Sequence, residues 1–183
     1  MVEKDILKLI ESDDQMMSIL RVAKQLDLPD WWIGAGFVRN KIWDTLHGDS
    51  DPTPLLDVDV IYFNPSNTSE EIEKNYELQL EQILPNGLWS VKNQARMNKV
   101  NGDKPYASSL DAISRWPETA TAIAVSLDAR DQVIFEAMHG VDDLVNLIVR
   151  PTPAFVNRTD EFRARQNKKN WISIWPKLNF PSC

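Results

Sequence analysis

One cysteine, two histidines, fewer bases than acids and no long apolar run set the first limits on this chain of 183 residues. The lone cysteine, Cys183, excludes an internal disulfide and fits a reducing, cytoplasmic setting. His47 and His139 stand far apart without ligand spacing, so no zinc signature is present. Neither a Ser-His-Asp arrangement nor a cysteine-based site can be assembled. Lysine and arginine number 20 against 27 acids, a formal net charge of -7. That balance makes nucleic acid an unlikely partner, because nonspecific binding relies on a basic footprint. No stretch approaches the roughly 20 apolar residues that cross a bilayer. The opening MVEKDILKLIESDDQ carries acids and no apolar core, so no secretory signal is read there. Repeats and low-complexity tracts are also missing.

What is present belongs to an ordinary globule: 43% hydrophobic and 26% charged residues. The expected organisation is one domain over 1–183, with a helical pair at about 1–28 and a final helix at about 155–175. Ser12 and Gln15 suggest a capping box for the second helix, which Pro29 closes. Trp31-Trp32-Ile33 reads as a short strand, and Val38 to His47 as a helix ended by Gly48. The acidic stretch 49–54 is a loop, and Asp57 to Phe63 a strand. Thr68 or Ser69 opens a helix running to about Leu84, which 85–87 break. Leu88 to Met97 alternates like a strand, with Lys92 and Arg96 on one face. A short helix from Ser108, a strand from Ala120 to Leu127, a turn at Asp128–Asp131 and a return strand to Ala137 follow. Arg150-Pro151-Thr152-Pro153 reads as an extended linker. Most of the seven tryptophans are expected to be packing anchors.

The chemistry concentrates between Trp31 and Asn64. Asp57 and Asp59 alternate on one strand and therefore share a face. Two adjacent carboxylates repel unless a cation lies between them. Upstream, Gly34-Ala35-Gly36 runs into a helix, where bare N–H groups and the helix dipole favour an anion. A phosphate site beside a divalent-cation site describes a nucleoside triphosphate with Mg²⁺ or Mn²⁺.

The order Gly-x-Gly-x-Val-Arg-Asn, a helix, then Asp-Val-Asp-Val resembles the head of the DNA polymerase beta-like nucleotidyltransferase superfamily. Its first part looks most like the tRNA CCA-adding and poly(A) polymerase branch. The wider pattern is similar to a small bacterial nucleotidyltransferase-like family. It includes Trp43-Asp44, Lys92-Asn93-Gln94-Ala95-Arg96-Met97, Trp116-Pro117-Glu118-Thr119 and Arg150-Pro151-Thr152-Pro153. The resemblance implies an α/β (α+β) fold with a mixed, mostly antiparallel sheet and helices packed on one face. It also implies metal-dependent transfer of a nucleotide monophosphate from a nucleoside triphosphate to a small-molecule or protein acceptor.

In that reading Asp57 and Asp59 hold metal, while Gly34, Gly36 and Arg39 hold phosphates. Arg39 could instead pair with Asp44 or Asp57. Lys92 and Arg96 would grip the triphosphate or stand on an exposed strand face. The superfamily usually places a third acid on a neighbouring strand. Glu118 and Asp128 are the candidates, and Glu118 is preferred as catalytic acid because it precedes the strand as Asp57 does. Asn40 stands where CCA-adding enzymes commonly have aspartate. The basic run 158–169 reads as a solvated face. Two further readings stay open: a nucleotide-binding or interaction protein that lacks catalysis, and an RNA-modifying transferase.

Overall fold

The computed structural model describes residues 1–48, 51–85 and 88–181. Part of the acidic loop (49–50), the helix breaker at 86–87 and Cys183 lie outside the described residues. Among the described residues, five strands form one sheet: β1 (Trp32–Gly34), β2 (Val58–Tyr62), β3 (Trp89–Asn93), β4 (Ile123–Leu127) and β5 (Val133–Ala137). Their order is β3-β2-β1-β4-β5. Only β2 and β3 run parallel; every other neighbouring pair is antiparallel. The parallel pair needs a crossover, supplied by the helix α4 (Glu70–Ile83). This is the mixed, mainly antiparallel α/β architecture expected.

Alternation divides the sheet chemically. Ile33, Val58, Val60, Val91, Ile123 and Val125 face a large core. The helices α1 (Glu3–Glu11), α2 (Asp14–Lys24), α3 (Gly36–His47) and α4 pack on that side. The opposite face carries a smaller cluster, Ile61 and Ala124 beneath Ile113 of the short helix α6 (Ser109–Ser114). Helices therefore do not lie on one face alone, a correction to the expected layering. Beside that smaller cluster, the same face presents Asp59, Ser90 and Lys92, which the β2–β3 register sets next to one another.

Local chemistry moved several boundaries. Asp13, not Ser12, caps α2, accepting from the N–H groups of Gln15 and Met16 at 3.0 Å each. The strand expected to reach Met97 stops at Asn93, whose side chain accepts from Ala95 N at 3.1 Å and starts α5 (Gln94–Asn101). A 3-10 turn, Thr119–Thr121, separates Glu118 from β4. The short helix α7 (Asp142–Val145) follows β5. The expected linker 150–153 is packed: Thr152 is fully buried, and its hydroxyl donates to Trp116 O at 2.7 Å. The final helix breaks at Asn170, where φ of 46° divides α8 (Thr159–Lys169) from α9 (Trp171–Ile174).

The C-terminal segment closes on α3. Trp43 is fully buried and meets Trp171 and Trp175 edge-on at 5.4 and 5.0 Å. Trp175 Nε1 donates to Asp44 Oδ1 at 2.7 Å, and Thr53 N and Oγ1 donate to the same carboxylate. Removing the central ring leaves a cavity that both C-terminal tryptophans border. Trp43→Ala is expected to cost about 3–5 kcal/mol, measured by urea denaturation.

Candidate active site

The turn that opens α3 is built by packing as much as by sequence. The Trp116 ring lies against Gly34, so closely that an added Cβ would come within 2.3 Å of its Cη2. Gly34 is thus required by the indole. Ala35 follows with φ 50° and ψ -114°, a conformation that favours glycine. Two hydrogen bonds hold it there: its N–H donates to Ile123 O at 3.2 Å, and its carbonyl accepts from Arg39 N at 3.1 Å. Gly36 begins the helix with a more ordinary environment, its notional Cβ lying 3.4 Å from an Arg39 terminal nitrogen.

Asp57 stands exposed at the entrance to β2, and Asp59 lies inside the strand. Burial raises the Asp59 carboxyl above its ordinary range, and the Asp57 charge raises it further; the Ser90 hydroxyl, Lys169 and Lys92 act the other way. Asp59, Ala35, Lys92, Arg115, Arg158 and Arg165 line one cleft of about 340 Å³, with Trp116 and Asp103 also on its wall. The cleft therefore joins the turn, one acid of the pair and four cations.

Arg39 does not face that cleft as a phosphate donor. It is 7% exposed, with its guanidinium 4.4 Å from the centroid of Trp171, 5.3 Å from Trp43 and 6.0 Å from Trp175. Its partner is neither Asp44 nor Asp57 but the Asn40 side-chain oxygen at 2.8 Å, and its Nε has no partner among the described residues. Burial lowers its pKa to about 10, while the charges of Glu118, Asp57 and Asp59 pull it up.

Lys92 lines the cleft while pairing with Glu77 Oε1 at 2.9 Å. Arg96 is elsewhere. Being on α5, it does not share a strand face with Lys92, and it clamps the fully buried Glu73 at 3.0 and 2.6 Å. Glu118 is also fully buried. Its Oε1 accepts from Arg165 Nε at 2.6 Å and from Gln166 Nε2 at 2.8 Å; its Oε2 accepts from the Thr121 hydroxyl at 2.8 Å. Asp128 caps the β4–β5 turn by accepting from the N–H groups of Arg130 and Gln132. Among the described residues, no three His, Cys, Asp or Glu side chains are placed to hold a metal together. The expected third carboxylate does not join the pair.

Three cleft cations were missed from the sequence. Arg158 and Arg165 belong to the run read as solvated, and Arg115, just past α6, donates from Nη2 to both oxygens of Asp111 at 2.9 and 2.8 Å. The basic run itself was the available signal, but periodicity could not give its direction.

Two outcomes follow from this geometry. A carboxyl with a raised folded pKa favours folding when protonated; that contribution is complete below the unfolded pKa and is lost as pH rises through the folded one. Asp59→Asn is therefore expected to raise Tm relative to wild type in metal-free buffer at neutral pH, with the difference shrinking toward acid, read by thermal melts across pH. Ala35→Gly relieves backbone strain of about 1–3 kcal/mol, less about 0.4–1 kcal/mol of added unfolded-state entropy. A net gain of about 1 kcal/mol is expected in chemical denaturation.

Comparison with known proteins agrees with this architecture. A family model described as Nucleotidyltransferase matches residues 21–180. The chain is 34% identical, with a TM-score of 0.88, to a protein whose NMR structure reveals a CCA-adding enzyme head domain; it covers 99% of this chain and 96% of that one. A Thermotoga maritima CCA-adding enzyme complexed with tRNA is similar at 16% identity and a TM-score of 0.55. A CCA-adding enzyme in complex with CTP is similar at 15% identity and 0.58. At those identities the likeness shows the fold alone, and the chain, covered in full, spans only 43% and 44% of those two enzymes. No curated protein matched in sequence. The breadth of the family match and the 34% identity over nearly the whole chain place this protein in the nucleotidyltransferase family.

Proposed function

We propose that the cleft binds a nucleoside triphosphate with Mg²⁺ or Mn²⁺ and that the chain transfers its nucleotide monophosphate to a hydroxyl or phosphate of an acceptor. The observation that carries this is Asp59, raised by burial and by Asp57, in one cleft with the Ala35 turn and four cations. Two repelling carboxylates at the start of one strand suit a hard cation, and magnesium commonly takes one or two protein carboxylates, with water and phosphate oxygens completing its shell. Asp57 and Asp59 would hold it. When bound, such a cation neutralises triphosphate charge and lowers the pKa of an attacking hydroxyl.

The chain supplies the rest. Lys92, Arg115, Arg158 and Arg165 offset the phosphate charge and orient it. The N–H groups at the start of α3 add to the positive field. The apolar wall of Trp116 and Phe155 excludes water along one side. Arg39 and Glu118 act from behind this surface.

Two other readings retain an observation each. A nucleotide-binding protein without catalysis is favoured by the engagement of both Glu118 oxygens and by Asn40 at the start of α3. An RNA acceptor is favoured by the tRNA complex of one relative and by the cations of the cleft, and the expectation that nucleic acid is unlikely finds no support. As to location, no helix of the described residues is long and apolar enough to cross a membrane; a cytoplasmic setting remains part of this proposal.

Calorimetric titration of the four nucleoside triphosphates, with and without Mg²⁺ or Mn²⁺, tests the assignment. Wild type is expected to bind in a metal-dependent manner, and Asp57→Asn/Asp59→Asn to lose more than about tenfold in affinity. Equal binding by both proteins would make the acid pair structural.

A further inference from the structure

Glu118 is buried too deeply for a ligand to reach, yet its environment is built to fix one cleft residue. Its backbone bridges to Pro151, and its side chain is 0% exposed. With Oε2 taken by Thr121, and Oε1 by Arg165 Nε and Gln166 Nε2, the carboxylate has little freedom to turn. Arg165 is the opposite case. Its side chain is 33% exposed and lines the cleft with Asp59 and Ala35. Its Nε is committed to Glu118, whereas its two terminal nitrogens have no hydrogen-bond partner among the described residues. The Trp171 ring, 5.9 Å from its guanidinium carbon, borders it on one side. A guanidinium anchored through Nε keeps its outer N–H groups coplanar and oriented, the geometry for a bidentate oxyanion.

We propose that Glu118 is a positioning residue that holds Arg165 as a fixed two-pronged donor for the phosphate chain of a nucleoside triphosphate. This rests on reading the cleft as the nucleotide site. It assigns Glu118 a role distinct from metal ligand or general base, and it explains why a buried acid faces the cleft's cation rather than its acids. Gln166 and Thr121 contribute by occupying the lone pairs that would otherwise let the carboxylate rotate.

The test compares ATP and AMP binding, with Mg²⁺, in wild type, Glu118→Gln, Arg165→Lys and the double variant. Glu118→Gln keeps the shape but loses the charge; Arg165→Lys keeps the charge but loses the fork. Each is expected to weaken ATP about tenfold and AMP much less. The double variant is expected to be no weaker than either single one, because both remove the same interaction. Equal proportional losses for ATP and AMP, or additive losses in the double variant, would overturn the proposal and leave Glu118 as a support for α8. Should Glu118→Gln not fold, Arg165→Lys decides alone: an unchanged ATP-to-AMP ratio sinks the idea. Inorganic tripolyphosphate separates the two levels of inference. If wild type binds tripolyphosphate through Arg165 but not ATP, the nucleotide reading fails and the positioning role stands; binding of neither overturns both.

Discussion

A buried guanidinium without a carboxylate partner among the described residues, Arg39, is the constraint on which the rest depends. It sits one turn into α3, directly behind the Gly34–Gly36 turn, with tryptophans from α3 and from the C-terminal segment around it. Moving a lone charge out of water costs several kcal/mol. A desolvated cation–π contact returns about 2 kcal/mol, and the nearby charges of Glu118, Asp57 and Asp59 favour the cation further. The aromatic cage, the docking of α8 and α9 and the acids of the cleft are thus parts of one electrostatic arrangement. Loss of the C-terminal segment would expose Arg39 and withdraw Arg165 and Lys169 from the acid pair together.

Two pairs of acids are treated in opposite ways in this protein. Glu73 and Glu118 are matched by arginines in close hydrogen bonds, and each fastens a helix: α5 by Glu73, α8 by Glu118. Asp57 and Asp59 have no comparable partner and repel each other. A fold that commits arginines to two glutamates while giving two neighbouring aspartates only a hydroxyl and the weaker pull of Lys92 and Lys169 concentrates its least-matched negative charge at one place, in the cleft that Ala35 also lines.

How much of this could be read from the chain follows from the range of each interaction. Asp57 to Phe63 as a strand, α3 with Gly48 at its end, and the β4–β5 hairpin depend on neighbours within a few residues, and pattern and turn chemistry expose such elements. The repulsion between Asp57 and Asp59 was expected from alternation alone, and the charge of Asp57 does raise the Asp59 carboxyl. Arg96 was misplaced because Asn93 fits an alternating strand and also caps a helix, and only the latter is realised. Glu118 looked like a strand-start acid; its burial and its bond to Arg165 are made across 47 positions, which no local rule can supply. The same holds for Arg39, whose ring partners Trp171 and Trp175 are on the far end of the chain.

The central strand β1 carries a kinetic consequence. It is three residues long, yet it is bonded on both sides, to Val60 and Ile61 of β2 and to Ala124 and Val125 of β4. The β4–β5 hairpin closes a short loop and can form quickly, whereas joining Ile33 to Val125 closes a very long one. So short a strand gains little until both neighbours are in place. The two halves of the sheet can therefore assemble first and meet across β1 late in folding. Because the Gly34–Gly36 turn hangs from the end of that strand and Ala35 is held by Ile123 O, the turn takes its shape only when the halves join. A partly folded chain would possess Asp59 on β2 without the Ala35 turn that lines the cleft with it, so the cleft is among the last features to form.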